Sequence, residues 1–498
     1  MFVFAALLAC ATMPRPGHGQ APSQAAFTEF QTELVPRTSA VFEPATLRSR
    51  VVGIDTQHVA GARLGRDVLR LNLFDDAVVE AQIDRVRPTR SGFFITGRPA
   101  GVEWGEVRLV VNGPVMVGTV VTPDAVFTIR WDGSGRHVIR QIDPSADPFE
   151  YEDHDVADDD LAPPGPSQTG SPVDALASIE MPATHFPGDT PTEDGSQVRV
   201  LVVYTPAMQA RHGGVAGIQA LIDLMIHSAN HAFETSGIEP RLVLAHTALV
   251  NYVEERIHAD LRRLTDPDDG YMDAVHALRD EHAADLVHLL ISASSGFAGS
   301  AGRLSIESLA QENYAAFAVT ASGTEETFTH EIGHNFGLRH DRYVNSPAST
   351  IFPYAFGYVN SRAFEPDAPG TAQWRTVMAY NNRCANAGFY CPRLLRFSNP
   401  EQTLRGDPLG VAADDPATGP DGPADARLTI NRTAAWVGSF RSEACTDFAL
   451  SPESLVAPVD GGEIVIRVTT APGCLWEASR TCSPVCPRSS NCISMSIR

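Results

Sequence analysis

His330-Glu331-Ile332-Gly333-His334-Asn335-Phe336-Gly337-Leu338-Arg339-His340-Asp341 gathers three imidazoles and a carboxylate within eleven residues. On a helix, His330 and His334 stand at i and i+4, so both rings project from one face toward a common point. Glu331, one position on, can reach a water held there without being a ligand itself. Gly337 tolerates the positive φ that ends a helix, so the chain can turn and bring His340 back as a third ligand. Three neutral imidazoles leave the fourth tetrahedral position of a zinc ion open, which separates a catalytic site from a closed structural one. A helix merely rich in His is the plain alternative, and a bare H-E-x-x-H would not exclude it.

The full pattern H-E-x-x-H-x-x-G-x-x-H fixes five positions and is far rarer by chance. It resembles the zinc motif of the metzincins, and Asp341 after the third His is similar to the reprolysin (adamalysin-like) branch, while Val200–Pro206, Asp269–His276 and Ala284–Val287 look like its bacterial members. The resemblance implies a zinc metalloendopeptidase with His330, His334 and His340 on one Zn²⁺, Glu331 as general base, and Gly337 and Asp341 as structural residues. It also implies a Met-containing turn beneath the histidines. Trp374-Arg375-Thr376-Val377-Met378-Ala379-Tyr380 supplies Met378 downstream of His340, as a packing floor and not a ligand. Tyr380 is similar to the astacin Tyr that approaches the zinc, which makes it a second catalytic candidate. The rival reading is a catalytically inactive zinc-binding adhesion or inhibitory module. Glu331 speaks against it, since metal binding alone needs no base there.

The chain has 498 residues, a net charge of −22 and no Lys, so all 38 of its Lys+Arg are Arg. That acidity argues against nucleic acid or anionic membrane as a partner; the resemblance implies protein or peptide substrates. Phe2–Ala11 is a short apolar run that reads as a secretory signal segment, too short to span a bilayer. Ala9-Cys10-Ala11 offers a cleavage site. Leu7-Leu8-Ala9-Cys10 also resembles a bacterial lipobox, which makes a lipoprotein the alternative to a secreted, extracellular protein. No later segment reads as a transmembrane anchor.

Residues 27–143 read as all-β. Val68–Phe74 alternates apolar and polar residues, and shorter runs follow at Gly92–Thr96, Val107–Val111, Val115–Val121 and Val126–Trp131. Asn112-Gly113-Pro114 and Asp132-Gly133 are turn signals at the ends of two of them. The layout resembles the propeptide region of secreted bacterial metzincins, so a zymogen is expected. From 144 to 197 the chain is acidic and rich in Pro, Gly, Ser and Thr, with no Arg before Arg199, and it reads as a disordered linker. Within it, Phe186-Pro187-Gly188-Asp189 resembles the F-x-G-D aspartate switch of astacin-type enzymes. That resemblance would make Asp189 a latency switch; the simpler reading is a Pro-Gly-Asp turn.

From Val198 the pattern becomes α/β. Val198–Tyr204 is an apolar strand. The next helix carries Ile218, Leu221, Ile222, Met225, Ile226, Ala229 and Phe233 on one stripe, and Gly237 stops it. A strand over Leu242–Tyr252, helices over Glu254–Leu264 and Met272–His282, and strands at Asp285–Ile291 and Ala315–Thr320 lead to a metal-binding helix over Thr324–Phe336. A last helix over Ala424–Arg441 buries Leu428, Ala434, Ala435, Val437 and Phe440. Cys384 and Cys391 can close a short disulfide loop in an oxidising compartment, with two free thiols as the alternative. Asp268-Asp269 and Asp414-Asp415 are candidate Ca²⁺ ligands, but they lack EF-hand spacing and read as solvated loop carboxylates.

From Cys445 the sequence resembles the opening half of a BACON-type immunoglobulin-like module, which implies carbohydrate or protein binding at a surface. The expected architecture is therefore multidomain: signal segment 1–20, β-rich pro-region 27–143, linker 144–197, and an α/β (α+β) metzincin catalytic domain over 198–442 with a mixed sheet and zinc helix. A partial β-sandwich-like segment over 445–498 with a Cys-rich tail completes it.

Overall fold

The computed structural model describes residues 26–29, 46–56, 59, 68–102, 104–143, 145, 194–292, 298–304, 315–321, 324–347 and 350–441. Beyond them it describes 448–451, 467–470, 477–479 and 494–496. The signal segment, nearly all of the acidic linker with Asp189, and the cysteines after Cys391 lie outside the described residues. Among the described residues no helix is long and apolar enough to cross a membrane.

The N-terminal region is β-rich. Strands β1 (Phe27–Glu29), β2 (Thr46–Ile54), β3 (Val68–Phe74), β4 (Ala77–Pro88), β5 (Phe93–Pro99), β6 (Glu106–Asn112), β7 (Val115–Val121), β8 (Val126–Trp131) and β9 (His137–Ile142) form one sheet, ordered β1-β2-β9-β8-β7-β6-β5-β4-β3. All of its pairings are antiparallel, and β3 to β9 follow one another as a meander. Gly113 at φ +59° makes the two-residue β6–β7 turn, and Gly133 at φ +86° lies in the β8–β9 turn. Alternation found β3 and β5 to β8. Strand β4, whose burial alternates from Val79 to Ile83, and β2 and β9 were additional.

The second sheet is mixed. Strands β10 (Gln197–Tyr204), β11 (Arg241–Leu249), β12 (Leu286–Leu290), β13 (Gly299–Ala301) and β14 (Phe317–Thr320) take the order β11-β10-β12-β14-β13. The first four are parallel and β13 is an antiparallel edge. Helices α1 (Pro206–Arg211), α2 (Val215–Thr235), α3 (Ile257–Thr265) and α4 (Ala274–Glu281) connect them, followed by α5 (Glu325–Asn335), α6 (Asn382–Asn386) and α7 (Ala426–Val437). Several boundaries move from expectation: β11 ends at Leu249, α3 starts at Ile257, α4 starts at Ala274, β14 starts at Phe317, and α7 spans Ala426–Val437 instead of Ala424–Arg441. In α7 the buried stripe is Ala426, Thr429, Ile430, Thr433, Ala434 and Val437, which leaves Leu428, Ala435 and Phe440 half-buried on its flank. From Phe448 onward the described strands pair two by two, Phe448–Ser451 with Arg467–Thr470 and Glu477–Ser479 with Ser494–Ser496.

Helix α2 departs most from its sequence reading. A one-sided stripe was expected, yet Asp223, Leu224, Ser228, Asn230 and Ala232 are buried as well. A helix covered all round needs a second partner. The N-terminal sheet supplies it: Phe94, Val110, Val115 and Val117 join the core of the mixed sheet and α2. Each such side chain contributes about 1.5–3 kcal/mol on full burial. Phe94 stacks on His227 with ring centroids 5.3 Å apart, and Arg90 Nε and Asn112 Nδ2 each donate at 2.8 Å to the Asp223 carboxylate.

Polar groups seal the same joint. Burial raises the Glu106 carboxyl, but Arg108 and His231 more than offset it and bring it down to about 2. A carboxyl depressed on folding contributes stability above its ordinary value of 4.5 and loses it as pH falls toward 2. Thermal melts should therefore show Tm falling over that window, with the fall reduced in Glu106→Gln. Equal pH profiles for the two proteins would refute a role for Glu106.

Candidate metal centre

Helix α5 begins with Thr324 in extended conformation, its hydroxyl accepting from Thr327 N at 3.4 Å. It ends in a Schellman turn: Leu338 N donates to Gly333 O at 3.0 Å and Gly337 N to His334 O at 2.8 Å, with Gly337 at φ +94°. A side chain at 337 would be strained by that φ and crowded by Ile351 and the Leu304 carbonyl. This turn throws the chain into a short strand, β15 (Arg339–Asp341), which returns His340 toward the helix.

The three imidazoles come together as the spacing required. His334 Nε2 lies 3.1 Å from His330 Nε2 and 3.1 Å from His340 Nε2. Tetrahedral ligands about 2.0–2.1 Å from a zinc ion stand about 3.3–3.4 Å apart, so the spacing fits. His330 Nδ1 donates to Val377 O at 2.9 Å and His334 Nδ1 to Leu338 O at 2.8 Å, which fixes the tautomer and turns both Nε2 lone pairs inward. Lone pairs facing one another across 3.1 Å repel unless a cation lies between them. Burial, then the two neighbouring imidazoles, hold His330 well below its ordinary pKa, in the neutral form that ligates. Among the described residues this is the one group of three or more His, Cys, Asp or Glu side chains close enough to hold an ion.

Met378 lies under this group and is fully buried. Gly333 makes room for it, because a Cβ at 333 would collide with the Met378 sulfur. The turn around Met378 closes through Ala379 N to Thr376 O at 3.0 Å, and its Val377 carbonyl is the one that orients His330. The Tyr380 ring stacks on His340 at 3.8 Å between centroids. Asp341, buried, ties the pieces together: Oδ2 accepts from Tyr380 N and Oδ1 from Tyr343 N, each at 3.0 Å. Burial raises its carboxyl above the usual range despite those bonds. Cys384 of α6 and Cys391 are joined in a disulfide, 5.9 Å between Cα atoms, in the segment after Tyr380.

Glu331 is buried beside the histidines with its carboxylate against Gly299 of β13, where a Cβ would stand 2.5 Å from Glu331 Cδ. Sequence reasoning missed this cradle. The Gly-rich run from Gly296 to Gly302 was its only signal. Also missed were Arg108 and Arg130, which reach from the N-terminal sheet to Glu325 in the first turn of α5.

Comparison with known proteins agrees with this geometry. Residues 194–398 match the family model Reprolysin_5, described as metallo-peptidase family M12. A Stenotrophomonas maltophilia protein named peptidyl-Asp metalloendopeptidase is 33% identical over 337 residues, covering 67% of this chain and 70% of that protein. The chain belongs to the reprolysin-like M12 metallopeptidases. A Xanthomonas campestris protein of the same name is 29% identical over 412 residues, with 80% and 87% of the two chains covered. As a member of the M12 family, this chain is a metalloendopeptidase, and protein or peptide is its substrate.

Proposed function

We propose that this M12 enzyme is a secreted, zinc-dependent endopeptidase that cleaves internal peptide bonds at aspartate. The observation that carries the zinc reading is the convergence of three Nε2 atoms beside Glu331, on a helix backed by Met378. His330, His334 and His340 would hold the ion. Zinc, when bound, supplies Lewis acidity that lowers the pKa of water and polarises a scissile carbonyl. Glu331 takes the proton of the attacking water and passes it to the leaving amine. Tyr380 steadies the oxyanion through its hydroxyl. The substrate lies extended along β13, the last strand of the mixed sheet, whose Gly299 packs against Glu331. The disulfide Cys384–Cys391 supports export to an oxidising compartment.

The preference for aspartate rests on the names of the S. maltophilia and X. campestris relatives. Arg393, half-buried on the segment after the disulfide, acts electrostatically on both His330 and Glu326. It is our candidate for the group that meets the substrate carboxylate. The test pairs metal analysis with cleavage of matched peptides that differ only in Asp or Asn. One zinc per chain, loss of activity with a chelator, and at least about a 10-fold preference for Asp are expected. A zinc-loaded protein that cleaves neither peptide nor casein would sink the reading.

Tyr380→Phe isolates the hydroxyl, because the ring that stacks on His340 is retained. Steady-state kinetics should show kcat reduced by about 10²-fold with KM little changed. An unchanged kcat would remove Tyr380 from the chemistry and leave it a packing residue.

A further inference from the structure

The resemblance to propeptide regions leads one to expect that residues 27–143 are an inhibitor discarded after cleavage of the acidic segment. The joint they form argues otherwise. Arg108 on β6, 1% exposed, donates from Nη2 and Nε to Glu325 Oε1 at 3.1 and 3.3 Å and also pairs with Glu326 and Glu106. Arg130 on β8 lies 3.8 Å from the other Glu325 oxygen. Glu325 is fully buried. Arg85 and Arg87 pair with Glu234 on α2, and Arg90 with Asp223. Five arginines of an acidic chain thus meet four carboxylates of the α2 and α5 surface, around the apolar contact made by Phe94, Val110, Val115 and Val117. The pairs with α5 end on its first turn, at Glu325 and Glu326, five and four residues before His330.

We infer that the N-terminal sheet is a lasting partner of the peptidase region, which stays docked when the acidic segment is cut and holds the first turn of the zinc helix. Detaching it would leave Glu325 and Glu326 side by side without Arg108 and Arg130, and the outer face of α2 bare. Burial raises the Glu325 carboxyl, but Arg108 and Arg130 more than offset it and keep it ionised, while burial and Glu325 itself push Glu326 up. The sheet therefore sets the charge state of the turn that leads into His330. The inference rests on α5 being the catalytic helix, but its test does not read peptidase activity.

A site for an unrelated protease is introduced between Gly165 and Ser167 in the full-length Glu331→Gln protein, so that no self-cleavage intervenes. After nicking, the two fragments should co-elute on gel filtration under native conditions. Amide exchange at residues 327–330 should match that of the intact protein. Arg108→Gln should weaken fragment association by about 100-fold and speed exchange in that turn. Glu325→Gln approaches the same joint from the other side and should do likewise, which covers the case of an Arg108 variant that fails to fold. Arg98→Ala, which breaks an exposed Asp84 pair within the sheet, should do neither. Separation of the fragments from nicked Glu331→Gln protein with exchange in α5 unchanged would overturn the inference. So would an Arg108→Gln protein whose fragments stay bound with wild-type exchange. Loss of zinc from the intact wild-type protein would count against the proposed function alone.

Discussion

Glu331→Gln should lower kcat by about 10²–10⁴-fold while leaving the metal content at one ion per chain. The expectation follows from where the side chain sits. Glu331 directly follows one histidine of the trio and precedes another by three residues, so it shares their helix without joining the trio of converging nitrogens. Its carboxylate is buried against a glycine, with space and water both restricted. Gln keeps the volume and one acceptor oxygen but cannot take a proton, so binding and folding should survive while proton transfer does not. KM should change by much less than kcat, because the lost interaction belongs to the transition state. Metal analysis is the decisive control. Full zinc with kcat near wild type would remove Glu331 from the base role, whereas lost zinc would show that the carboxylate helps to form the site.

Helix α5 with its three-histidine group was the most legible part of the chain, for a physical reason. His330, His334 and His340 lie within eleven residues, so helical geometry and one glycine turn determine their meeting. Met378 was legible only through a family resemblance, because the collision that makes Gly333 its partner is a three-dimensional fact. The strands of the N-terminal sheet were legible as strands, yet their alternation says which residues share a face and not what covers that face. Arg108 occupies a polar position in Glu106-Val-Arg-Leu-Val-Val-Asn112 and reads as solvent-facing. Its main partner is 217 residues away, beyond the reach of any local pattern. The same blindness made α2 look one-sided.

Gly299→Ala should impair catalysis nearly as much as loss of the base, from a residue that does no chemistry. Gly299 has no need of positive φ, so alanine suits its backbone and β13 should still form. What alanine cannot do is share space with Glu331, since its Cβ would overlap the carboxylate. Of the two groups the carboxylate is the one able to move, because it ends a flexible side chain whereas the strand is held by β14. It should therefore swing out of line while the histidines stay in place. The expected outcome is a fall in kcat of about 10²-fold with zinc content and Tm close to wild type, since a small misplacement of a catalytic group costs that much. Combining Gly299→Ala with Glu331→Gln separates this from a general loosening of the site. If the glycine acts only through the carboxylate, the double variant should be no slower than Glu331→Gln alone, because the second change removes a placement that no longer matters. Additive losses would mean that Gly299 serves the substrate strand directly, and a single variant keeping more than half of wild-type kcat would mean that Glu331 has room the structure does not give it.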